Sequence, residues 1–125
     1  MRFISLVKAT RESEAGSPPD PALMAAMGKL GQEAMQKGFI VDMGGLAPRS
    51  LGARVRASGG KLTVVDGPFA EIKELVAGYA ILEVSSKEEA IEEAKKMLRL
   101  HIDTLGPSYE GECELRQMFG PSDRP

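Results

Sequence analysis

Apolar and polar positions alternate at two different periods along this chain, and the switch between them lays out its elements. Arg2-Phe3-Ile4-Ser5-Leu6-Val7-Lys8 reads as a strand buried on at least one face. The stretch 9–20, with Gly16, Pro18 and Pro19 as breakers, has the composition of a loop. Asp20 followed by Pro21 is a helix start, a side-chain cap ahead of a residue whose φ is already helical. Leu23, Met27, Leu30 and Ala34 then recur at helical spacing, with Met24 and Met35 widening the stripe. Gly38 ends this helix, residues 39–43 form a short strand, and residues 44–50 form a loop.

From Leu51 the period returns to two. Ala53, Val55 and Ala57 fall on one side and Gly52, Arg54 and Arg56 on the other. Ser58-Gly59-Gly60 turns the chain into a strand over 61–66, which makes a β-hairpin. Another strand follows at 78–84. Ser86 and Glu89 have the spacing of a capping box, and Ala90, Ile91, Ala94, Met97 and Leu98 form the apolar stripe of a second helix. Glu92 and Lys96 are spaced to pair on its outer face. Gly106-Pro107 breaks the chain before a last strand at 112–119, and 120–125 reads as a flexible C-terminal tail.

The order is β-α-β, a hairpin, then β-α-β. Two such halves with short connections predict an α+β, ferredoxin-like split βαβ sheet with two helices on one face and an extra β-hairpin. Two helices cover one face only. Val, Leu, Ile and Phe lie on both sides of several strands, which argues that the second face is also covered. A homodimer packed through the sheet face supplies that cover, against the alternative of an ordinary antiparallel sheet wet on one side.

Composition narrows the class. At 125 residues the chain makes one domain, and its core is aliphatic: it has no Trp, four Phe and two Tyr, with seven Met as adaptable filler. Sixteen basic against 18 acidic residues, with no basic block, give no nucleic-acid footprint. Cys113 is the single cysteine and has no internal disulfide partner, which suits a reducing cytoplasm. Neither a signal peptide nor an apolar run of membrane-spanning length is present, so the expectation is a cytoplasmic protein away from membranes. One His, one Cys and scattered carboxylates predict no metal site, and no phosphate loop or other cofactor motif occurs.

The most punctuated segment is Asp66-Gly67-Pro68-Phe69-Ala70-Glu71-Ile72-Lys73-Glu74, set between two strands. Gly tolerates positive φ, Pro cannot donate to a ladder, and Asp bonds its own downstream backbone. This nonapeptide resembles the signature of the DGPF family, within the wider YCII-related group, with Ile72 where that family usually has Thr. The resemblance runs from the opening strand to Phe119, so residues 1–119 read as one YCII-related (DGPF) domain. It implies a dimeric α/β barrel. It brings no established activity, only suggested roles in small-molecule catalysis or in signalling with extracytoplasmic-function sigma factors. In the YCII-type branch a His near the start of the first helix and an Asp elsewhere are a proposed catalytic pair. Pro18 to Met24 contains no His, so that pair does not carry over.

The remaining candidates come from the residues themselves. Asp66 is either a general base or a structural carboxylate that accepts amides from Phe69 or Ala70. Those bonds would favour its charged form and make it a poor base. His101, the only histidine, extends the apolar stripe of the second helix. It is either an acid–base group paired with Asp66, Asp42 or Asp103, or a helix C-terminal histidine bonded to a carbonyl. Arg49, Phe69, Glu71, Lys73 and Tyr79 are the ligand-binding candidates around the signature segment. Arg54, Arg56 and Arg116 either pair across strands or hold an anion. Cys113 reads as packing rather than as a nucleophile. Two functions remain open. One is a protein that binds or acts on a small molecule in a cleft near Asp66–Glu74. The other is a non-catalytic interaction module linked to transcription through a sigma factor.

Overall fold

The computed structural model describes residues 1–66 and 75–121. Strands β1 (Arg2–Lys8), β2 (Ile40–Gly45), β5 (Val76–Glu83) and β6 (Cys113–Met118) form one sheet in the order β2-β5-β1-β6, and β3 (Ala53–Ser58) pairs with β4 (Lys61–Asp66) as a separate ribbon. Every pairing is antiparallel. Helix α2 (Pro21–Gln36) connects β1 to β2 and α3 (Lys87–Leu105) connects β5 to β6. This is the expected ferredoxin-like α+β arrangement, with the hairpin inserted between its halves.

Each long helix starts where its cap says it should. Asp20 Oδ1 accepts the amides of Ala22 and Leu23 at 2.7 and 3.3 Å, satisfying donors that the first turn of α2 leaves unpaired. Ser86 Oγ accepts from the Glu89 amide at 3.1 Å at the start of α3. The reciprocal half of the expected capping box does not form, because Glu89 Oε2 takes the Ser85 hydroxyl instead, at 2.7 Å. Gly106, at φ +101°, ends α3 in backbone geometry that side chains resist.

The core lies between the sheet and the helices. Phe3, Leu82, Val84 and Ala90 form its centre, with Phe39, Ile40, Ala80 and Leu115 packed against it. Ala90 is wholly buried. Both α2 and α3 therefore lie over the sheet face that carries Phe3 and Leu82. No helix among the described residues is long and apolar enough to cross a membrane.

Three further expectations need correction. Part of the stretch read as loop forms a short helix, α1 (Arg11–Glu14), through a capping box in which Thr10 and Ser13 bond each other's backbone amides. Arg49–Leu51, also read as loop, makes a 3-10 turn. Glu92 pairs with Lys95 rather than Lys96, while Lys96 reaches Glu93 at 2.9 Å and lies over the Phe39 ring. Positions three apart on a helix are as close as those four apart, so either spacing can pair.

Candidate functional site

Strand register decides which side chains share the face the helices leave bare. Ile4 lies opposite Ile81, and Leu6 opposite Tyr79, in the β1–β5 pairing. On β2, Gly44 lies opposite Tyr79 and Asp42 opposite Ile81, whereas Ile40 lies opposite the core residue Leu82. Ile40 and Asp42 are two apart and in regular pleating would share a face. The register shift between them supplies one extra residue, Val41, which sends Ile40 to the helices and Asp42 to the open face.

The result is a polar pair above an apolar floor. Tyr79 Oη donates to Asp42 Oδ2 at 3.1 Å, and Asp42 Oδ1 accepts the Met43 amide at 2.9 Å. The Tyr79 ring lies across Gly44 so closely that a Cβ there would stand 3.0 Å from ring carbon Cε1. Glycine at 44 is therefore what lets the phenol reach Asp42. Hydrogen bonding to the Asp42 carboxylate, with its negative charge, pushes the Tyr79 phenol above its ordinary pKa, so its proton stays in place at neutral pH. The half-buried side chains of Ile4, Leu6 and Ile81 lie beside the pair. Charged residues border this strip, with Arg2 reaching Glu83 at 3.3 Å, Lys8 reaching Glu114 at 3.1 Å, and Arg116 flanking Glu114 at 3.9 Å.

The other sequence candidates are placed elsewhere. Arg49 Nε pairs with Glu14 Oε1 at 3.2 Å, and the Arg49 amide also donates to that carboxylate, which ties the 3-10 turn to α1. His101 lies on α3, across the sheet from Tyr79. Its Nδ1 donates to the Met97 carbonyl at 2.8 Å, which sets the proton on that nitrogen, and its ring lies 5.1 Å from that of Tyr109. Among the described residues no hydrogen bond or ion pair joins His101 to Asp42, Asp66 or Asp103. Asp66 ends β4 in an exposed position opposite Ala53. Phe69, Ala70, Glu71, Lys73 and the rest of 67–74 lie outside the described residues, as does 122–125 of the expected tail. Cys113 Sγ shares a 2.8 Å hydrogen bond with Ser5 Oγ, and burial pushes its thiol pKa up.

Asp42 had entered the sequence reasoning only as a possible partner for His101. The one signal pointing to it was the glycine pair after it, Gly44-Gly45, matched by Gly78 before Tyr79. Glycines on facing strands mark a close approach of backbones, and an aromatic neighbour has room to lie across them.

Comparison with known proteins agrees with the fold. Residues 1–98 match the model of the YCII-related domain. An uncharacterised protein of Rhizobium meliloti (strain 1021) is 30% identical over 91 residues, which cover 73% of this chain and 72% of the relative. The chain belongs to the YCII-related family.

Proposed function

We propose that this protein is a homodimeric small-molecule binder whose site is the open sheet face around Tyr79 and Asp42, the cleft expected near the DGPF-like sequence Asp66–Glu74. The observation that carries the proposal is the Tyr79–Asp42 hydrogen bond on a face no described helix covers. A carboxylate has several acceptor sites, and the phenol and the Met43 amide use only two. The remaining ones suit a hydroxyl or ammonium donor, while Ile4, Leu6 and Ile81 suit an apolar body. Pockets with a few converging polar groups over apolar walls are where small molecules bind. Leu75, the residue that follows the DGPF-like sequence, has a carbonyl that accepts the Ala9 amide at 2.9 Å, and it lies only four residues before Tyr79 in the chain. A second copy set sheet to sheet would close the cleft into the dimeric barrel expected of the fold. A lone half-buried thiol supports a cytoplasmic location.

The test is a thermal-shift screen of amino and hydroxy metabolites against the wild type, Tyr79→Phe and Asp42→Asn. Compounds that raise the wild-type melting temperature should lose their effect on Asp42→Asn and have a reduced effect on Tyr79→Phe. Equal shifts on all three proteins would remove the site from this face.

A further inference from the structure

The β3–β4 ribbon carries a second uncovered apolar surface. Its register sets Val55 opposite Val64, Ala57 opposite Leu62 and Ala53 opposite Asp66, so these share one face. Arg54, Arg56, Ser58, Lys61, Thr63 and Val65 share the other, which is polar except for Val65. The ribbon is thus amphipathic, yet its apolar face is bare: Val55, Leu62 and Val64 are 71%, 76% and 68% exposed. A two-stranded hairpin alone in water is marginal, and an amphipathic one needs something to lie on.

We infer that the ribbon is an arm that lays its Val55, Leu62 and Val64 face on a second copy of this chain, over the rim of that copy's open sheet face. This rests on the sheet-to-sheet dimer proposed above. One chain then holds two apolar surfaces that no described helix covers, and a two-fold exchange buries both surfaces of both copies. Area supports the second copy over a smaller occupant. Six-residue strands rising ~3.4 Å per residue and ~4.8 Å apart give the ribbon a face of only ~200 Å² in projection, and the four-stranded sheet about twice that. A stable interface takes ~800 Å² from each partner, which neither surface reaches alone and the two together approach, since a corrugated face has more area than its projection. The other face, with Arg56, Thr63 and Lys61, stays in water in this arrangement and fixes which way the arm lies. The partner's arm would then help wall the Tyr79–Asp42 site, so each site is complete only in the dimer.

Sedimentation equilibrium on the full chain tests this with four variants. The wild type should be a dimer. Leu62→Lys combined with Val64→Lys should weaken dimerisation by ~10-fold or more, as the loss of buried interface anchors does. Thr63→Lys, on the opposite face, should leave it unchanged. Val64→Thr keeps the shape and should weaken it less; it is the variant to rely on if the double variant loses its circular dichroism spectrum. Leu6→Lys, on the sheet face, separates the two proposals. If Leu6→Lys dissociates the dimer and the arm variants do not, the sheet dimer stands and the arm is wrong. If the wild type is monomeric, or if neither class of variant alters its affinity, both fall.

Discussion

Tyr79 and Asp42 meet across a diagonal of the β2–β5 pairing only because Val41 is the extra residue of a bulge, and the contact leaves a measurable mark on the phenol. Hydrogen bonding to Asp42 comes first among the causes that raise the Tyr79 pKa, followed by the charge of the same carboxylate. The other tyrosine, Tyr109, is also raised, chiefly by burial. Ultraviolet titration of the wild type should therefore show both phenols ionising above the ordinary ~10. In Asp42→Asn the Tyr79 transition should fall back toward ~10 while Tyr109 keeps its position. Labelling the tyrosine Cζ carbons for NMR assigns the two. If Tyr79 stays raised in Asp42→Asn, the bond is not made in solution.

Arg49 joins α1 to the 3-10 turn that precedes the hairpin, and its partner is the more enclosed of the two, with the Glu14 side chain only 10% exposed. Removing the guanidinium leaves that carboxylate short of a charged donor while it remains shielded from water. Arg49→Ala should lower stability by ~1–3 kcal/mol, the range for losing a charge-assisted bond to a shielded group. Glu14→Gln should cost less, since it keeps an oxygen for the Arg49 amide. Urea midpoints distinguish the two, and an Arg49→Ala midpoint equal to wild type would contradict the pairing.

Local signals carried most of the fold. Asp20-Pro21, Ser86, Gly38 and Gly106 each act within one turn of chain, so their effect is visible before any tertiary contact is known. The two periods located the strands and helices for the same reason. What escaped depends on context. The helix at Arg11–Glu14 hides beside Gly16, Pro18 and Pro19, and its capping box uses Ser13 where Glu or Gln is usual. The face taken by Asp42 could not be read at all, since simple alternation puts it with Ile40, and a bulge is visible only in the pairing partner. His101 had two readings that differ in what surrounds the end of α3, and its bond to Met97 is one that a helix makes with its own backbone. The ribbon's amphipathic pattern was legible, but the exposure of its Val55, Leu62 and Val64 face was not.

Cys113 offers a pH-dependent test of packing. Burial is the first cause of its raised pKa, and the bond to Ser5 works the other way. The fold therefore favours the thiol over the thiolate. Stability from this group is fully present below the unfolded value of ~8.5 and is lost as pH rises toward the folded value. Cys113→Ser cannot ionise in this range and keeps a hydroxyl for Ser5. The stability of wild type relative to Cys113→Ser should be constant up to about pH 8 and decline above it. Alkylation by iodoacetamide at pH 7.5 should be slower than for an unstructured cysteine peptide. A flat difference across pH 7 to 10, or alkylation at the peptide's rate, would mean that the thiol is not shielded in solution.

The core and the caps should respond on separate scales, because one loses buried volume and the other a single hydrogen bond. Leu82 lies between Phe3 on β1 and Ile40 on β2, opposite both in register, so truncating it opens a cavity bounded by three strands and the helices above them. Leu82→Ala should cost ~2–5 kcal/mol, toward the upper end because paired backbones on both sides prevent collapse. Ser86→Ala removes one acceptor from the first turn of α3 and should cost ~1 kcal/mol. Asp20→Ala should cost about the same at α2, where the carboxylate accepts two amides but sits in water. Chemical denaturation of the three variants sets the ordering, and the sites are far enough apart for Ser86→Ala and Asp20→Ala to add. A Leu82→Ala loss no greater than that of either cap would place Leu82 at a wet surface, and with it the sheet face on which the whole assignment of open and covered sides depends.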